Sequence, residues 1–262
     1  MDLKGKYVVI TGGSSGIGRA LAIEMAKAGV ILVLAARSAG RLAEVQAECK
    51  ALGSECHTVM LDLESNASIE QAAGQIGTLV PHIDVLVNNA GISQRARAAD
   101  TLPEVEHTIM QTNYFGPVRL TKALWPYFNK QQVSIIVISS VVGLFGFPLR
   151  SSYAASKHAL HGYFESVALE SKGNPHVLIV CPGRINTPIS LSALHAEGRQ
   201  HGQMDPGQQQ GIPADVCAQK IMKAWSNRKN LVLIARGERL LWYMRRYLPA
   251  LFSYVAKKVS PV

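Results

Sequence analysis

Short runs of consecutive apolar residues recur at 7–10, 31–35, 57–61, 85–87, 133–138 and 177–180, each followed by a longer stretch with helical spacing. The runs are rich in β-branched residues and do not alternate with polar ones, as strands covered on both faces require. Strand and helix therefore alternate along the chain. This predicts an α/β fold, a single doubly wound parallel β-sheet of Rossmann type with helices on both faces. A last strand over 231–235 is expected to close the sheet. No internal repeat is present. The expected organisation is one domain over 1–235, with a lid at about 188–212 that includes a Gly- and Gln-rich stretch at 198–211, and an amphipathic C-terminal tail over 236–262.

A chain of 262 residues with 48% hydrophobic content buries a sizeable core. Its formal charge of +9 suits nucleic acid, anionic lipid or a phosphorylated ligand. Without a long Lys/Arg run, an RNA-binding aromatic signature or zinc-finger spacing, nucleic acid is not an expected partner. No stretch of roughly 20 apolar residues suggests a bilayer-spanning helix. The charged start passes straight into an apolar strand, so no signal peptide is expected, and the sequence reads as cytoplasmic. Cys49, Cys56, Cys181 and Cys217 form no C-x-x-C pair and indicate neither a zinc site nor a disulfide framework.

Directly after the first run comes Thr11-Gly12-Gly13-Ser14-Ser15-Gly16-Ile17-Gly18, with a helical stretch behind it. Glycines at 12, 16 and 18 allow a tight turn, let backbone N–H groups approach a pyrophosphate, and bring helix close to strand. On spacing alone such a stretch also suits a flexible turn. The strand before it and the helix after it favour the phosphate cradle.

Other chemistry-bearing residues stand at strand ends or on helices behind them: Asp62, Asn88-Asn89-Ala90-Gly91, Asn113, Ser139-Ser140, Tyr153 and Lys157. In open α/β sheets that carboxyl edge binds ligands. Tyr153 and Lys157, four apart on a helix, share a face. A free phenol, with a pKa of about 10, exchanges its proton poorly near neutrality, and a neighbouring ammonium favours the phenolate. Ser140 offers a hydroxyl to a substrate oxygen. Taken singly, the Tyr-x-x-x-Lys spacing recurs by chance, Ser140 fits a strand-end cap, and Asn113 fits a satisfied polar group on a helix. Their order and common position carry the reading.

The glycine spacing and this ordered set resemble the short-chain dehydrogenase/reductase family from Thr11 to Thr187. The C-terminal part is similar to its membrane-associated member-7 and 11β-hydroxysteroid dehydrogenase-like subgroup. The resemblance implies a catalytic tetrad of Asn113, Ser140, Tyr153 and Lys157, with Asn113 holding a relay water near Lys157. It implies cofactor binding by Gly12, Ser14, Ser15, Gly16, Ile17, Gly18, Asp62, Leu63, Asn89, Ala90, Gly91, Tyr153, Lys157, Pro182, Gly183, Ile185 and Thr187. Within that set, Asp62 bonds the adenine and Thr187 holds the nicotinamide carboxamide. Family members that prefer NAD carry an acid at the end of the second strand, where this chain has Ala36 followed by Arg37 and Ser38, with Arg41 one helical step on. A guanidinium and a hydroxyl suit a 2′-phosphate, so Arg37 and Ser38 complete the expected cofactor site and NADP(H) is the expected cofactor.

The implied reaction is NADPH-dependent reduction of a ketone or aldehyde on a hydrophobic substrate such as a steroid, a retinoid or an acyl-chain carbonyl. Two alternatives share the fold: alcohol oxidation, and a non-catalytic NADP(H)-binding regulatory protein. Apolar residues Ala155, Ala159, Phe164 and Val167 on one helix suggest a homodimer or homotetramer. His195 and His201 read as solvated, with no carboxylate partner. In the tail, Leu240, Met244, Leu248, Leu251 and Val255 recur at helical spacing among Arg239, Arg245, Arg246, Lys257 and Lys258. Such a stripe suits a membrane interface and packing on the protein body equally.

Overall fold

The computed structural model describes residues 3–259. Seven parallel strands form the central sheet: β1 (Tyr7–Thr11), β2 (Ile31–Ala36), β3 (Cys56–Met60), β4 (Val85–Asn88), β5 (Ser134–Ile138), β6 (His176–Pro182) and β9 (Leu231–Ile234). Their spatial order is β3-β2-β1-β4-β5-β6-β9. Strands β7 (Ile185–Asn186) and β8 (Ile212–Pro213) pair separately. The helices are α1 (Gly16–Lys27), α2 (Ala39–Ala51), α3 (Asn66–Leu79), α4 (Pro103–Met110), α5 (Gly116–Leu124), α6 (Ser151–Glu170), α7 (Pro206–Gln209), α8 (Ala214–Ser226), α9 (Glu238–Tyr247) and α10 (Pro249–Ala256).

The period of two within each apolar run divides the core. Val8, Ile10, Leu32, Leu34, Ile136 and Leu178 face one way and pack with α1, α2 and α8. Val9, Val33, Leu86, Ile135, Val137 and Ile179 face the other way, towards α3, α5 and α6. Each fully buried Val, Leu or Ile contributes about 1.5–3 kcal/mol relative to exposure, which favours continuous apolar runs over alternating ones. Phe164 and Val167 lie in this second core, so they are not available to a second subunit. The expectation that they form a subunit contact is corrected.

The sheet order places β2 and β3 on one side of β1 and β4, β5, β6 and β9 on the other. The reversal between β1 and β4 opens a crevice at their carboxyl ends, the usual ligand position in such sheets.

The tail uses part of its apolar stripe to cover the body. Leu241, Met244, Phe252 and Ala256 are buried against Val141, Phe145 and Ala235, with Val255 packed alongside. Leu240, Leu248 and Leu251 of the expected stripe are instead exposed, together with Tyr243, Tyr247 and Tyr254. Leu248 leaves helical geometry between α9 and α10, which rotates the second helix relative to the first and divides the stripe. No helix among the described residues is long and apolar enough to cross a membrane.

Candidate active site

The turn after β1 needs its glycines for two separate reasons. Gly12 and Gly16 have φ of +65° and +56°, in the left-handed region that favours glycine. At Gly18 the constraint is space: a Cβ there would stand 2.3 Å from the Gly12 carbonyl oxygen and 2.5 Å from Asn89 Nδ2. The end of β4 braces the turn. Thr11 Oγ1 donates to the Val87 carbonyl at 3.2 Å and accepts from the Asn89 N–H at 3.0 Å, while Asn89 Nδ2 donates to the Thr11 carbonyl at 2.9 Å. The N-terminus of α1, with its unpaired N–H groups, follows directly, which suits a pyrophosphate.

A cavity of about 920 Å³ runs along the carboxyl edge of the sheet. Every residue expected to hold the cofactor lines it except Gly18, whose role is to let α1 approach β1. At one end stand Arg37, Ser38 and Arg41. Ser38 sits at the start of α2 without using its side chain as a cap. At the other end stand Ser140, Tyr153 and Lys157. A turn that a Cβ would fill, followed by a basic rim, fits a phosphorylated dinucleotide.

Tyr153 lies on the first turn of α6. Arg150 precedes that helix without a side-chain cap, and the N–H groups of Ser152 and Tyr153 donate instead to Gln94 Oε1, at 2.9 and 3.3 Å. Gln94, fully buried after β4, thereby fixes the start of α6. Burial pushes the Tyr153 phenol above its usual range, opposed by its hydrogen bond with Ser140 and by the charges of Arg150 and Arg95. Lys157 is buried and brought down to about 8, burial being the main cause. Its Nζ lies 5.7 Å from the Tyr153 ring centre and donates to the Ile138 carbonyl at 2.9 Å. The two arginines thus join Lys157 as cations around the phenol, which the four-residue spacing alone did not indicate.

Ser140 Oγ donates to the Pro182 carbonyl and accepts from the Val142 N–H, both at 3.4 Å, long bonds that leave the hydroxyl easily redirected. Asn113 does not line the cavity. It sits in a π-helical turn (Gln111–Phe115) between α4 and α5, an irregularity common at functional sites. Its amide is fully engaged: Nδ2 donates to the Ile92 carbonyl at 2.9 Å and to Ser156 Oγ at 3.0 Å, and Oδ1 accepts from the Ile92 N–H at 2.8 Å. Asn113 therefore locks the strand-end loop next to Gly91 and Lys157.

The segment after Thr187 is docked on the body. Strands β7 and β8 pin its two ends together. Leu194 exchanges backbone hydrogen bonds with Ser93 and Arg95 and packs on Ile92, Val105 and Ile109, whereas Ile189 and Leu191 line the cavity. Buried Asp205 forms an ion pair with buried Arg95, and His201 Nε2 approaches its other carboxylate oxygen at 3.4 Å. His195 and His201 bond to each other at 3.1 Å. The expectation of no carboxylate partner is corrected for His201, to which chain folding brings Asp205, and both rings are partly buried rather than fully solvated.

Arg95, Arg150 and Asp205 are cavity residues that no motif in the sequence singles out. Their one signal is position, on loops that end at the same carboxyl edge as the glycine turn.

Residues 6–198 match the short chain dehydrogenase family. The chain is 40% identical to dehydrogenase/reductase SDR family member 7B of Bos taurus, over 95% of this chain and 80% of that protein. A short chain dehydrogenase/reductase from Burkholderia phymatum, solved in complex with NAD, superposes with a TM-score of 0.84 at 25% identity, covering 96% of each chain. An alcohol dehydrogenase from Thermococcus sibiricus, complexed with 5-hydroxy-NADP, shares the fold with a TM-score of 0.78 at 24% identity, over 88% of this chain and 97% of that one. Given the matched length and this architecture, the chain belongs to the short chain dehydrogenase family of oxidoreductases.

Proposed function

We propose that the protein is an NADP(H)-linked carbonyl reductase, in which Tyr153 donates a proton to the oxygen of a ketone or aldehyde on a hydrophobic substrate. The observation that carries this reading is the convergence of Ser140, Tyr153 and Lys157 on the cavity that also holds the glycine turn and Arg37. NADPH, when bound, supplies the hydride. The Tyr153 phenol then gives its proton to the substrate oxygen, and the redirected Ser140 hydroxyl holds that oxygen and stabilises its developing charge. Lys157, Arg95 and Arg150 favour the phenolate that remains. Asn113 keeps the loop at Gly91 in place and, through it, space for a relay water beside Lys157. The 2′-phosphate would lie at Arg37, Ser38 and Arg41. The apolar wall supplied by Phe145, Leu241 and Met244 favours a lipophilic substrate.

Following NADPH oxidation over a pH series, with steroid, retinal, 3-keto lipid and aromatic carbonyls as trial substrates, tests the proposal. Turnover is expected for lipophilic members. Lys157 is charged below about 8 and loses its proton above it, so reductive kcat/KM should fall as pH rises through about 8. Firm NADPH binding without turnover on any carbonyl or alcohol would support the regulatory alternative.

A peripheral membrane contact is favoured by the outer face of the tail, where Leu248 and Leu251 stand exposed with Tyr243, Tyr247 and Tyr254 near Arg245, Arg246 and Lys258. Deleting the tail would also remove a wall of the cavity, so substitution is the cleaner probe. The unaltered protein should co-sediment with anionic vesicles and the Leu248→Glu/Leu251→Glu variant should stay in the supernatant. Equal partitioning of the two would remove the membrane contact. Self-association as a dimer or tetramer belongs to the same proposal and would use surface such as Phe115 and Leu169, both exposed.

A further inference from the structure

We propose that Arg95, Arg150 and Arg184 form an anion subsite beside Tyr153, so that the substrate is an amphiphile with a carboxylate or phosphate near its reacting carbonyl and an apolar chain beyond. This rests on the carbonyl-reductase reading and names the substrate class for that site.

The three guanidiniums come from different segments, the loop after β4, the start of α6 and the stretch between β6 and β7, yet all line the cavity that contains Tyr153. Arg95 and Arg150 are each 8% exposed. Gathering like charges out of water is unfavourable. Burial lowers Arg150 to about 9, helped by the charges of Arg95 and Arg184, and burial lowers Arg95 to about 10. Both groups still carry their charge at neutral pH, so the repulsion persists there.

The lid accounts for only part of this cluster. Asp205 pairs with Arg95 and ties the lid to the β4 loop, but Arg95 Nε stays buried without a hydrogen-bond partner. Arg150 Nη1 donates to the Leu149 carbonyl at 3.3 Å, and Arg184 packs its guanidinium on Gly207. Arg150 and Arg184 make further contacts of their own. With five N–H donors, a guanidinium keeps such contacts and still receives an anion.

Nor does the proposed cofactor account for all of it, although Arg184 stands between Gly183 and Ile185 of its nicotinamide end. Its 2′-phosphate end lies past β2, at Arg37 and Arg41, while Arg150 and Arg184 stand behind β5 and β6, with β1 and β4 between. An anion among the three guanidiniums would offset their repulsion, with the planar fork geometry that carboxylate and phosphate both match. Phe145, Leu241, Met244 and Val255 line the same cavity and suit an attached apolar chain.

The test is calorimetric titration of the NADP+-loaded full chain with decanoate, decyl phosphate and 1-decanol. At least one anion should bind about 10- to 100-fold more tightly than the alcohol, the range expected for a hydrogen bond to a charged group, and comparison of the two anions identifies the headgroup. Arg150→Gln should weaken the preferred anion by a similar factor while changing 1-decanol far less, and Arg150→Lys should recover part of the loss. Arg184→Gln, at a half-buried position, is the companion variant and should show the same selectivity. Equal binding of all three probes, or equal weakening of all three by both Gln variants, would overturn the subsite. Arg150-dependent anion binding without NADPH oxidation by any keto acid would leave the subsite standing and remove the reductase reading. Turnover of neutral ketones with no anion preference would do the reverse.

Discussion

Tyr153→Phe is expected to lower kcat for carbonyl reduction by about 10²- to 10⁴-fold, the contribution of a positioned general acid, while NADPH binding changes little. The substitution removes one oxygen and keeps the ring that packs at the start of α6, so the Gln94 bonds to the Ser152 and Tyr153 N–H groups persist. Ser140, Lys157 and the arginines would keep their places, and the carbonyl oxygen would lose only its proton donor. Rapid-mixing kinetics separates the two effects. NADPH fluorescence should report unaltered binding while the hydride-transfer phase slows. A full-rate variant would mean that another group delivers the proton, and Tyr153 would have to be given up as the acid.

Arg37→Ala should raise the KM for NADPH by about 10- to 100-fold and leave NADH nearly unchanged, because one charge-assisted pair with the 2′-phosphate is lost and NADH has no such group. Ala36 stands where a carboxylate would discriminate against NADPH, so the proposed NADPH preference would depend on Arg37 and its neighbours Ser38 and Arg41 at the cavity rim. Steady-state comparison of the two cofactors in the variant and the parent measures this directly. Retention of a strong NADPH preference in the variant would shift the recognition of the phosphate elsewhere.

The sheet was largely legible in the sequence because a strand covered on both faces permits little besides apolar residues. Residues 7–10 and 133–138 show this, with Val8, Val9, Ile135 and Ile136 fully buried. The glycine turn was legible for a related reason: Gly12 needs a positive φ, and Gly18 has no space for a Cβ. Periodicity states which residues share a face, but it does not state what that face meets. Hence the spacing suggests a subunit contact for Phe164 and Val167, which in fact fill the core, and the tail stripe divides between body and surface. Arg95, Arg150 and Asp205 were hidden because their meeting depends on three distant segments closing over one cavity. Charge on such loops normally signals solvent exposure, and only the fold shows these groups to be buried.

The most direct measurement is the transfer of deuterium from NADPH carrying deuterium at both nicotinamide C4 positions to a keto-amphiphile, followed by mass spectrometry of the product. The account predicts one deuterium on the new carbinol carbon, with product formation suppressed in Tyr153→Phe. A reduced product without deuterium, or no product from any carbonyl under conditions where NADPH is bound, would contradict it.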